Sequence, residues 1–378
     1  MWQVIFWVCA CVIVYVYAAY PIIVRTLARF FGTAIAREPI RPTATIVIAA
    51  YNEEHGIRAK LQNVAALDYP PGLVDVIVTS DASSDGTDSI VSAYDPGRVR
   101  LVRVEGRRGK TACQNIAVEC ATGDIVVFTD ATTRIDSRAL IALVENFADT
   151  SVGCAAGSLV YEAKGHNPTA HGGAAYWSYE LELRRAESAL GSLVGVSGCL
   201  YAVRRSAYRP IAPELISDFV IAMRLRESDL RTVLEPAAVC FEETLDRTGQ
   251  ELAMRVRVAV RSINALVAER RLLNPFRFGC FAWQLWSHKV LRYSSPFFWL
   301  LALAASLALA ASPLYLSMLI MQLLVIAAGI AGYLMHTSSR RLGFLTKAYY
   351  FLLTNVASFL ATVRYLKGER IVTWKPIR

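Results

Sequence analysis

The chain has 378 residues, of which 54% are hydrophobic, and a formal net charge of +9. This length allows one large domain or two ordinary ones, and the mean hydropathy of +0.37 is high for a wholly soluble protein, which indicates membrane segments. The basic balance suits an anionic membrane surface or anionic small molecules. Because the Lys and Arg residues are scattered and form no recognisable reading motif, we expect no nucleic-acid partner. The eight cysteines include no CxxC pair, which argues against a zinc site and a disulfide framework.

Residues 1–24 are predicted to form an N-terminal transmembrane helix. The run from Trp2 to Val24 contains no charge and is longer than the roughly 20 apolar residues needed to cross a hydrocarbon core. The first basic residues, Arg25 and Arg29, come after this run, whereas a cleaved signal peptide carries them before it. Because basic residues favour the cytoplasmic side, residues 25–42 are expected to link an inner-membrane helix to a cytoplasmic domain.

Residues 43–249 show apolar runs of strand length that alternate with helical patterns. This alternation is typical of βαβ units, so we predict an α/β domain with a Rossmann-like, mainly parallel sheet. The predicted strands are Thr45–Ala50, Val74–Ser80, Val99–Val104 and Ile125–Thr129. The predicted helices between them are Glu53–Leu67, Thr87–Tyr94 and Lys110–Ala121.

The last third of the chain is predicted to lie on and in the membrane. Residues 250–293 interleave arginines with apolar side chains and then become aromatic, a pattern that favours amphipathic helices at the interface. Residues 294–335 hold two long apolar stretches separated by Ser312-Pro313, which predicts a transmembrane hairpin. Residues 336–378 are predicted to contain a further transmembrane or re-entrant helix, over about residues 344–363, and a basic tail. The expected protein is a multi-pass inner-membrane protein.

Acidic residues follow two of the predicted strands. Asp81 and Asp85 lie in a turn rich in Ser and Thr after the second strand, and Asp130 follows the fourth strand. Open α/β sheets bind ligands at the carboxyl ends of their strands, and hard cations such as Mn²⁺ or Mg²⁺ prefer oxygen ligands. We therefore predict a divalent cation at Asp130. Asp81 could accept a hydrogen bond from a nucleotide base, and Asp85 could lie near a ribose or cap the next helix.

Two predicted helix starts add candidate contacts for an anion. The first strand ends at Ala50 and continues into Tyr51-Asn52-Glu53, where a helix beginning near Asn52 would present unpaired N–H groups. A simple Asn cap is the alternative explanation. Arg107-Arg108-Gly109-Lys110 opens a later helix with basic side chains, which is unfavourable at that end of the helix dipole unless an anion lies nearby. Lys110 is the predicted diphosphate contact, and a solvated basic loop is the alternative.

These motifs together carry a family resemblance. They are Tyr51-Asn52-Glu53, residues 80–87, Gly109-Lys110 with Asn115, Asp130-Ala131-Thr132, residues 195–205 and Ser217-Asp218-Phe219. In this order and spacing, over roughly residues 43–265, the chain resembles family 2 glycosyltransferases with a GT-A fold. With its flanking membrane helices it is similar to the branch that includes hyaluronan, chitin and cellulose synthases and exopolysaccharide transferases.

The resemblance implies inverting transfer from a nucleoside diphosphate sugar, for which a UDP-sugar is the expected donor. Asp218 would act as general base on the acceptor hydroxyl, and Asp130, with Thr132, would hold the Mn²⁺ or Mg²⁺ ion. The implied donor-binding residues are Ala50, Tyr51, Asn52, Glu53, Asp81, Asp85, Lys110 and Arg257. The implied acceptor contacts are Ser197, Gly198 and Trp177.

Two departures from the family pattern shape the prediction. Thr132 stands where the frequent Asp-x-Asp motif has its second carboxylate, so we predict weak cation binding unless the donor diphosphate helps. The Gln-x-x-Arg-Trp motif of processive members aligns with residues 254–258, where only Arg257 is retained. We therefore expect transfer of one or a few sugars to a lipid-linked or polysaccharide acceptor at the inner leaflet, in exopolysaccharide or cell-envelope glycan synthesis. A homo-oligomer or polysaccharide-export partners could supply a channel.

Two alternatives stay open at this stage. The first is a polyprenyl-phosphate sugar transferase, whose acceptor is already an anion and needs no strong base. The second is a non-catalytic membrane scaffold that binds nucleotide. Retention of Asp81, Asp130 and Asp218 argues against the scaffold.

Overall fold

The computed structural model describes residues 1–162, 169–243, 248–335 and 343–373, and the side chains of residues 169–178, 243 and 248–250 fall outside that description. Eight strands form one sheet. They are β1 Ala44–Ala50, β2 Val74–Asp81, β3 Val99–Val104, β4 Ile125–Asp130, β5 Arg134–Ile135, β6 Val152–Glu162, β7 Leu200–Arg204 and β8 Arg231–Glu243. The four strands predicted from the sequence are all present, each within one residue of its predicted ends.

The sheet has the strand order β3-β2-β1-β4-β7-β6-β8-β5 over the described residues. Strands β3, β2, β1 and β4 run parallel to one another, as predicted. Strand β7 is antiparallel to both β4 and β6, and β5 is antiparallel to β8. The prediction of a mainly parallel sheet is therefore correct for the half that contains β1 to β4, and the whole sheet is mixed.

Both faces of the central strands are buried. All seven residues of β1 are buried, and Val47 packs with Ile77 and Phe128 on one face while Ile46 and Ile48 belong to the core on the other. A parallel sheet with helices on both faces has continuous apolar runs in its strands. This burial explains why the predicted strands are continuously apolar instead of alternating with polar residues.

Helices cover the sheet and continue beyond it. In chain order they are α1 Trp2–Phe31, α2 Ile57–Ala65, α3 Thr87–Ser92, α4 Lys110–Cys120, α5 Ala139–Glu145, α6 Thr169–Leu190, α7 Ser217–Glu227, α8 Thr248–Ala268, α9 Pro275–Ala308, α10 Pro313–Leu334 and α11 Gly343–Leu366. Among the described residues, α1, α9 and α10 are the helices long and apolar enough to cross a membrane.

Helix α9 begins earlier than the predicted transmembrane hairpin. The predicted boundary between interfacial and transmembrane segments, at residue 293, falls inside this helix, so the aromatic residues before it continue directly into the apolar run. Helix α11 is a single unbroken helix over the segment predicted as transmembrane or re-entrant. It packs closely on α10, where the α-carbon of Gly332 lies against the carbonyl of Leu345 and a side chain would not fit.

A buried polar cluster joins the sheet domain to the apolar helices. Glu187 on α6 accepts a 2.5 Å hydrogen bond from Tyr20 on α1, and the ring of His288 on α9 bridges Glu187 and Glu180 at 2.8 and 2.9 Å. Arg292 pairs with Glu180 at 2.9 Å. Buried charges are tolerated when they are paired and hydrogen-bonded in this way. The cluster fixes α6 between the first and second apolar helices.

Candidate active site

The carboxyl ends of β1, β2 and β4 meet at one edge of the sheet. Ala50 is paired in register with Ser80, and Ala49 with Asp130, so Asp81 and Asp130 lie on either side of the end of β1. This is the edge at which open α/β sheets bind ligands. The register of the sheet therefore brings the predicted acidic strand ends to one edge of the sheet.

Asp81 is fully buried and holds the basic loop before α4. Its carboxylate oxygens accept hydrogen bonds from the backbone N–H groups of Arg108 at 2.7 Å and Gly109 at 3.1 Å, and from Arg107 Nε at 3.1 Å. The guanidinium of Arg107 lies 3.2 Å from the centre of the Tyr51 ring. The structure thus places Asp81 beneath a surface formed by Tyr51 and Arg107, with both oxygens engaged by protein donors.

The chain after β1 differs from the sequence prediction. Helix α2 begins at Ile57 and not near Asn52, whose backbone has a left-handed φ of +53°. The N–H of Asn52 donates to Ser83 Oγ at 3.1 Å, and the N–H of Glu53 donates to the hydroxyl of Thr87 at 2.8 Å. The N–H groups predicted to await a nucleotide are therefore bound by side chains that follow β2.

Asp85 binds the first residue of α3 and also braces this turn. Its Oδ1 accepts from the backbone N–H of Thr87, the first residue of α3, at 3.0 Å, and its Oδ2 accepts from the N–H of Glu54 at 3.1 Å. Asp85 therefore fixes the start of α3 against the turn after β1, while Gly86 occupies the N-cap position of that helix. Short acceptor side chains at the start of a helix are a common way to satisfy its first N–H groups.

Lys110 connects the candidate cation residue with the candidate base. Its Nζ contacts the carboxylate of Asp130 and lies 3.5 Å from the carbonyl oxygen of Gly198. A side chain added at Gly198 would meet both Lys110 Nζ, at 3.1 Å, and Asp218 Oδ2, at 2.8 Å. The Lys110 ammonium and the Asp218 carboxylate therefore both lie against the bare α-carbon of Gly198, where a larger residue would displace them.

Burial and charge act against each other at this cluster. Burial lowers the pKa of Lys110, but Asp130 and Asp218 outweigh it, so the net shift of the lysine pKa is upward. Burial raises the pKa of Asp218 above its ordinary value, and Asp130 adds to that rise, while Lys110 and Arg261 oppose it. A carboxylate with a raised pKa is better suited to accept a proton from a hydroxyl group than an ordinary one.

Two arginines of α8 lie near this charged cluster. Arg261 donates to the hydroxyl of Thr111 at 3.0 Å and to the carbonyl of Leu215 at 2.6 Å, which fixes α8 against the start of α4 and the loop before α7. Burial lowers the pKa of Arg257, while Asp130 acts in the opposite direction. The predicted contact of Arg257 with the donor diphosphate stays a prediction, and Arg261 is an additional cation whose charge acts on Asp218 and which sequence reasoning missed.

The remaining predicted site residues differ in position. Thr132 is exposed on the turn after Asp130, and Ser197 is half-buried beside Gly198. Trp177 belongs to α6, but its side chain lies outside the described residues.

The protein oxygen atoms around Asp130 fit a cation only if a bound ligand contributes further oxygen atoms. The described residues contain no group of three His, Cys, Asp or Glu side chains that could hold a metal. Asp130 supplies one carboxylate and Thr132 a hydroxyl, and Lys110 already contacts that carboxylate. Such a set fits a hard cation whose remaining ligands are phosphate oxygens and water.

Three further residues at the site were missed by sequence reasoning. Glu242 accepts a contact from Cys199 Sγ at 3.5 Å, and burial together with Asp130 raises its pKa. The backbone of Val372, in the tail after α11, lies directly against the α-carbon of Gly109. Lys60 is buried beneath the turn after β4. None of these residues lies within a recognised sequence motif. Contacts between segments that are distant along the chain bring them to the site.

Comparison with known proteins gives a family and several relatives for part of the chain. Residues 45–211 match the family described as Glycosyl transferase family 2. The chain is 25% identical over 221 residues to poly-beta-1,6-N-acetyl-D-glucosamine synthase of Staphylococcus epidermidis, which covers 57% of this chain and 53% of that protein. The synthase of Staphylococcus aureus strain COL is 26% identical over 221 residues, with the same coverage. The chain spans about half the length of the curated relatives it matches.

A solved structure establishes the fold over nearly the whole chain. The mannosyltransferase PcManGT from Pyrobaculum calidifontis, in complex with GDP-Man and Mn²⁺, superposes with a TM-score of 0.72 at 23% sequence identity. The alignment covers 98% of this chain and 100% of that chain. The predicted GT-A-type α/β domain with flanking apolar helices is thereby confirmed.

Proposed function

We propose, from the premise that residues 45–211 form a family 2 glycosyltransferase domain, that the chain transfers a sugar with inversion from a nucleoside diphosphate sugar to a lipid-linked or polysaccharide acceptor. The observation that carries the proposal is the position of Lys110, in contact with Asp130 and across Gly198 from Asp218. One ammonium group thus marks the place where a leaving diphosphate and an acceptor base would meet.

In the proposed reaction, Asp218 on one side of Gly198 acts on the acceptor, and Lys110 on the other side acts on the diphosphate. Asp218 takes the proton of the acceptor hydroxyl as its oxygen forms a bond to the anomeric carbon, and the bond from that carbon to the diphosphate oxygen breaks. Negative charge then accumulates on the diphosphate, where Lys110 and Arg257 can stabilise it. A divalent cation held by Asp130 and Thr132 would supply Lewis-acid neutralisation of the same charge.

The nucleotide is proposed to lie over Tyr51 and Arg107. Asp81 holds the loop that carries Arg107, so its main contribution is to fix that surface. The sequence relatives are named as synthases of an N-acetylglucosamine polymer, and the structural neighbour is a mannosyltransferase in complex with GDP-Man. We favour a UDP-sugar as donor because the sequence motifs resemble the polysaccharide synthase branch of the family.

The acceptor side is proposed to face the membrane. Gly198 lies against Asp218, and α6 connects the sheet domain with the apolar helix α9 through the contact of Glu180 with His288. A cytoplasmic domain at an inner membrane follows from the basic residues after α1. Self-association and polysaccharide-export partners stay predictions from the sequence.

The experiment that tests the function is a donor-hydrolysis panel. Purified protein in detergent is supplied with UDP-, GDP- and dTDP-sugars, with Mn²⁺, with Mg²⁺ and with chelator, and release of the nucleoside diphosphate is measured. One donor class should be hydrolysed, and faster with metal. Nucleotide binding without turnover of any donor would instead support the scaffold alternative.

Replacement of Asp81, which holds the loop of Arg107 and Arg108, should weaken donor binding without changing the metal dependence. In Asp81→Ala the backbone N–H groups of Arg108 and Gly109 lose their buried acceptor, which costs about 1–3 kcal/mol per unsatisfied group. We expect the KM for the donor to rise by about tenfold or more, with the ratio of rates with and without Mn²⁺ unchanged. Initial-rate kinetics at varied donor concentration, with the exposed Asp68→Ala as control, would detect this. An unchanged KM would remove Asp81 from the donor site.

A further inference from the structure

A lysine on a buried helix face lies beneath the turn that carries Asp130. Helix α2 packs on the core through Ile57, Leu61 and Val64, and Lys60 lies on the same face with 3% of its surface exposed. An apolar residue would continue that face without cost, whereas a buried amine is unfavourable unless it is hydrogen-bonded. Burial lowers the pKa of Lys60 to about 7, with Asp130 acting in the opposite direction. Hydrogen bonds that offset the cost of burying this amine are therefore expected.

The amine of Lys60 binds both ends of the turn. Its Nζ donates to Thr129 Oγ1 at 2.8 Å and to the carbonyl oxygen of Thr133 at 2.5 Å. Between these two partners lie Asp130 and Thr132, and the backbone of the turn is closed by a long bond of 3.3 Å from the N–H of Thr133 to the carbonyl of Asp130. One side chain thus ties the last residues of β4 to the end of the turn.

The next turn of the same helix continues the support. Asn63, three residues after Lys60, donates to the carbonyl of Ile135 at 2.8 Å and accepts from the N–H of Ile135 at 2.8 Å. Residues three apart lie on one face of a helix. Helix α2 therefore holds the segment from Thr129 to Ile135 at two points, through Lys60 and through Asn63.

We propose that Lys60 is a positioning residue for the divalent cation and the donor diphosphate. Lys60 fixes both ends of the turn that carries Asp130 and thereby orients the Asp130 carboxylate. The proposal rests on the proposed function, because it takes the cation to bind at Asp130. Because the protein offers the cation a single carboxylate, the affinity for the cation depends on the orientation of that carboxylate. Groups that orient metal ligands change metal affinity by about 10–100-fold when they are removed.

The test compares nucleotide binding with and without metal in Lys60→Met, whose side chain has a similar length but no donor. UDP binding to the purified full chain is measured by titration calorimetry, with chelator and with Mn²⁺, alongside the melting temperature. We expect the Mn²⁺-dependent gain in UDP affinity to fall by about tenfold, while metal-free UDP affinity stays within about twofold. Lys367→Met, at an exposed lysine after α11, should behave as wild type.

A milder variant keeps the test decisive if Lys60→Met does not fold. Thr129→Val removes one acceptor of Lys60 with little change of shape, and it should reduce the Mn²⁺-dependent gain in the same direction by a smaller factor. An undiminished gain in both variants, or equal losses of metal-free and Mn²⁺-dependent affinity together with a lower melting temperature, would overturn the proposal. Wild-type protein whose UDP affinity does not respond to Mn²⁺ would instead overturn the cation site itself, and the role of Lys60 with it.

Discussion

Asp218→Asn is expected to lower the rate of sugar transfer by about 10³-fold, because general-base catalysis contributes roughly 10²–10⁴-fold. The amide cannot take the acceptor proton, but it retains the size of the carboxylate at the start of α7. Donor affinity should change by less than about threefold, since Asp218 lies against Gly198 on the side proposed to bind the acceptor. Transfer to acceptor and binding of donor are measured separately.

The control is another aspartate whose replacement by asparagine is conformationally neutral. Asp229 is 92% exposed at its side chain and has a φ of +56°, a conformation that asparagine tolerates well. Asp229→Asn should therefore transfer sugar at the wild-type rate. Transfer by Asp218→Asn near the wild-type rate, with a phosphate-bearing lipid acceptor, would favour the polyprenyl-phosphate alternative, because such an acceptor needs no base.

The pH dependence of transfer should report the raised pKa of Asp218. Burial raises this pKa, so the carboxyl group becomes protonated, and loses its function as a base, at a higher pH than the ordinary value of about 3.9. The plot of kcat/KM for the acceptor against pH should accordingly fall on the acid side, with an apparent pKa above that of an ordinary aspartate. Rates that stay constant down to about pH 4 would contradict the assignment.

Asp130→Ala is expected to remove the metal dependence of donor hydrolysis and to lower transfer by roughly 10³-fold, since charge stabilisation by a cation contributes several kcal/mol. The turn has no second carboxylate, because Thr132 occupies that position. UDP affinity in chelator should stay close to that of wild type, and the Mn²⁺-dependent gain should disappear. Hydrolysis rates equal to those of wild type, with and without metal, would contradict the cation role of Asp130.

The same variant has a second signature in the pH profile. Asp130 contributes to the raised pKa of Asp218, and it also holds Lys110. Without it, Lys110 is free to pair with Asp218, and both effects lower the pKa of the base. The acid limb of residual transfer should therefore shift to lower pH in Asp130→Ala, whereas Asp68→Ala, at an exposed aspartate before β2, should leave both the rate and the profile unchanged.

Local sequence determined the elements and the acidic strand ends. The apolar runs of β1, β2 and β4 identify strands because a sheet buried on both faces requires them, and parallel strands necessarily bring their carboxyl ends to one edge. This reasoning is enough to predict that Asp81 and Asp130 lie at one edge of the sheet. The long uncharged run in α1 identified a helix suited to a membrane for the equally local reason of length.

Tertiary structure decided which of these groups are available to bind a ligand and which residues hold them in position. The sequence could not show that residues after β2 bind the N–H groups of Asn52 and Glu53, since those partners are about 30 residues away along the chain. It could not identify Lys60 as a partner of Thr129 and Thr133, because a lysine in a helix is usually solvated. Hydrogen bonds between distant segments depend on how helices pack on the sheet, and no local pattern of residues encodes that packing.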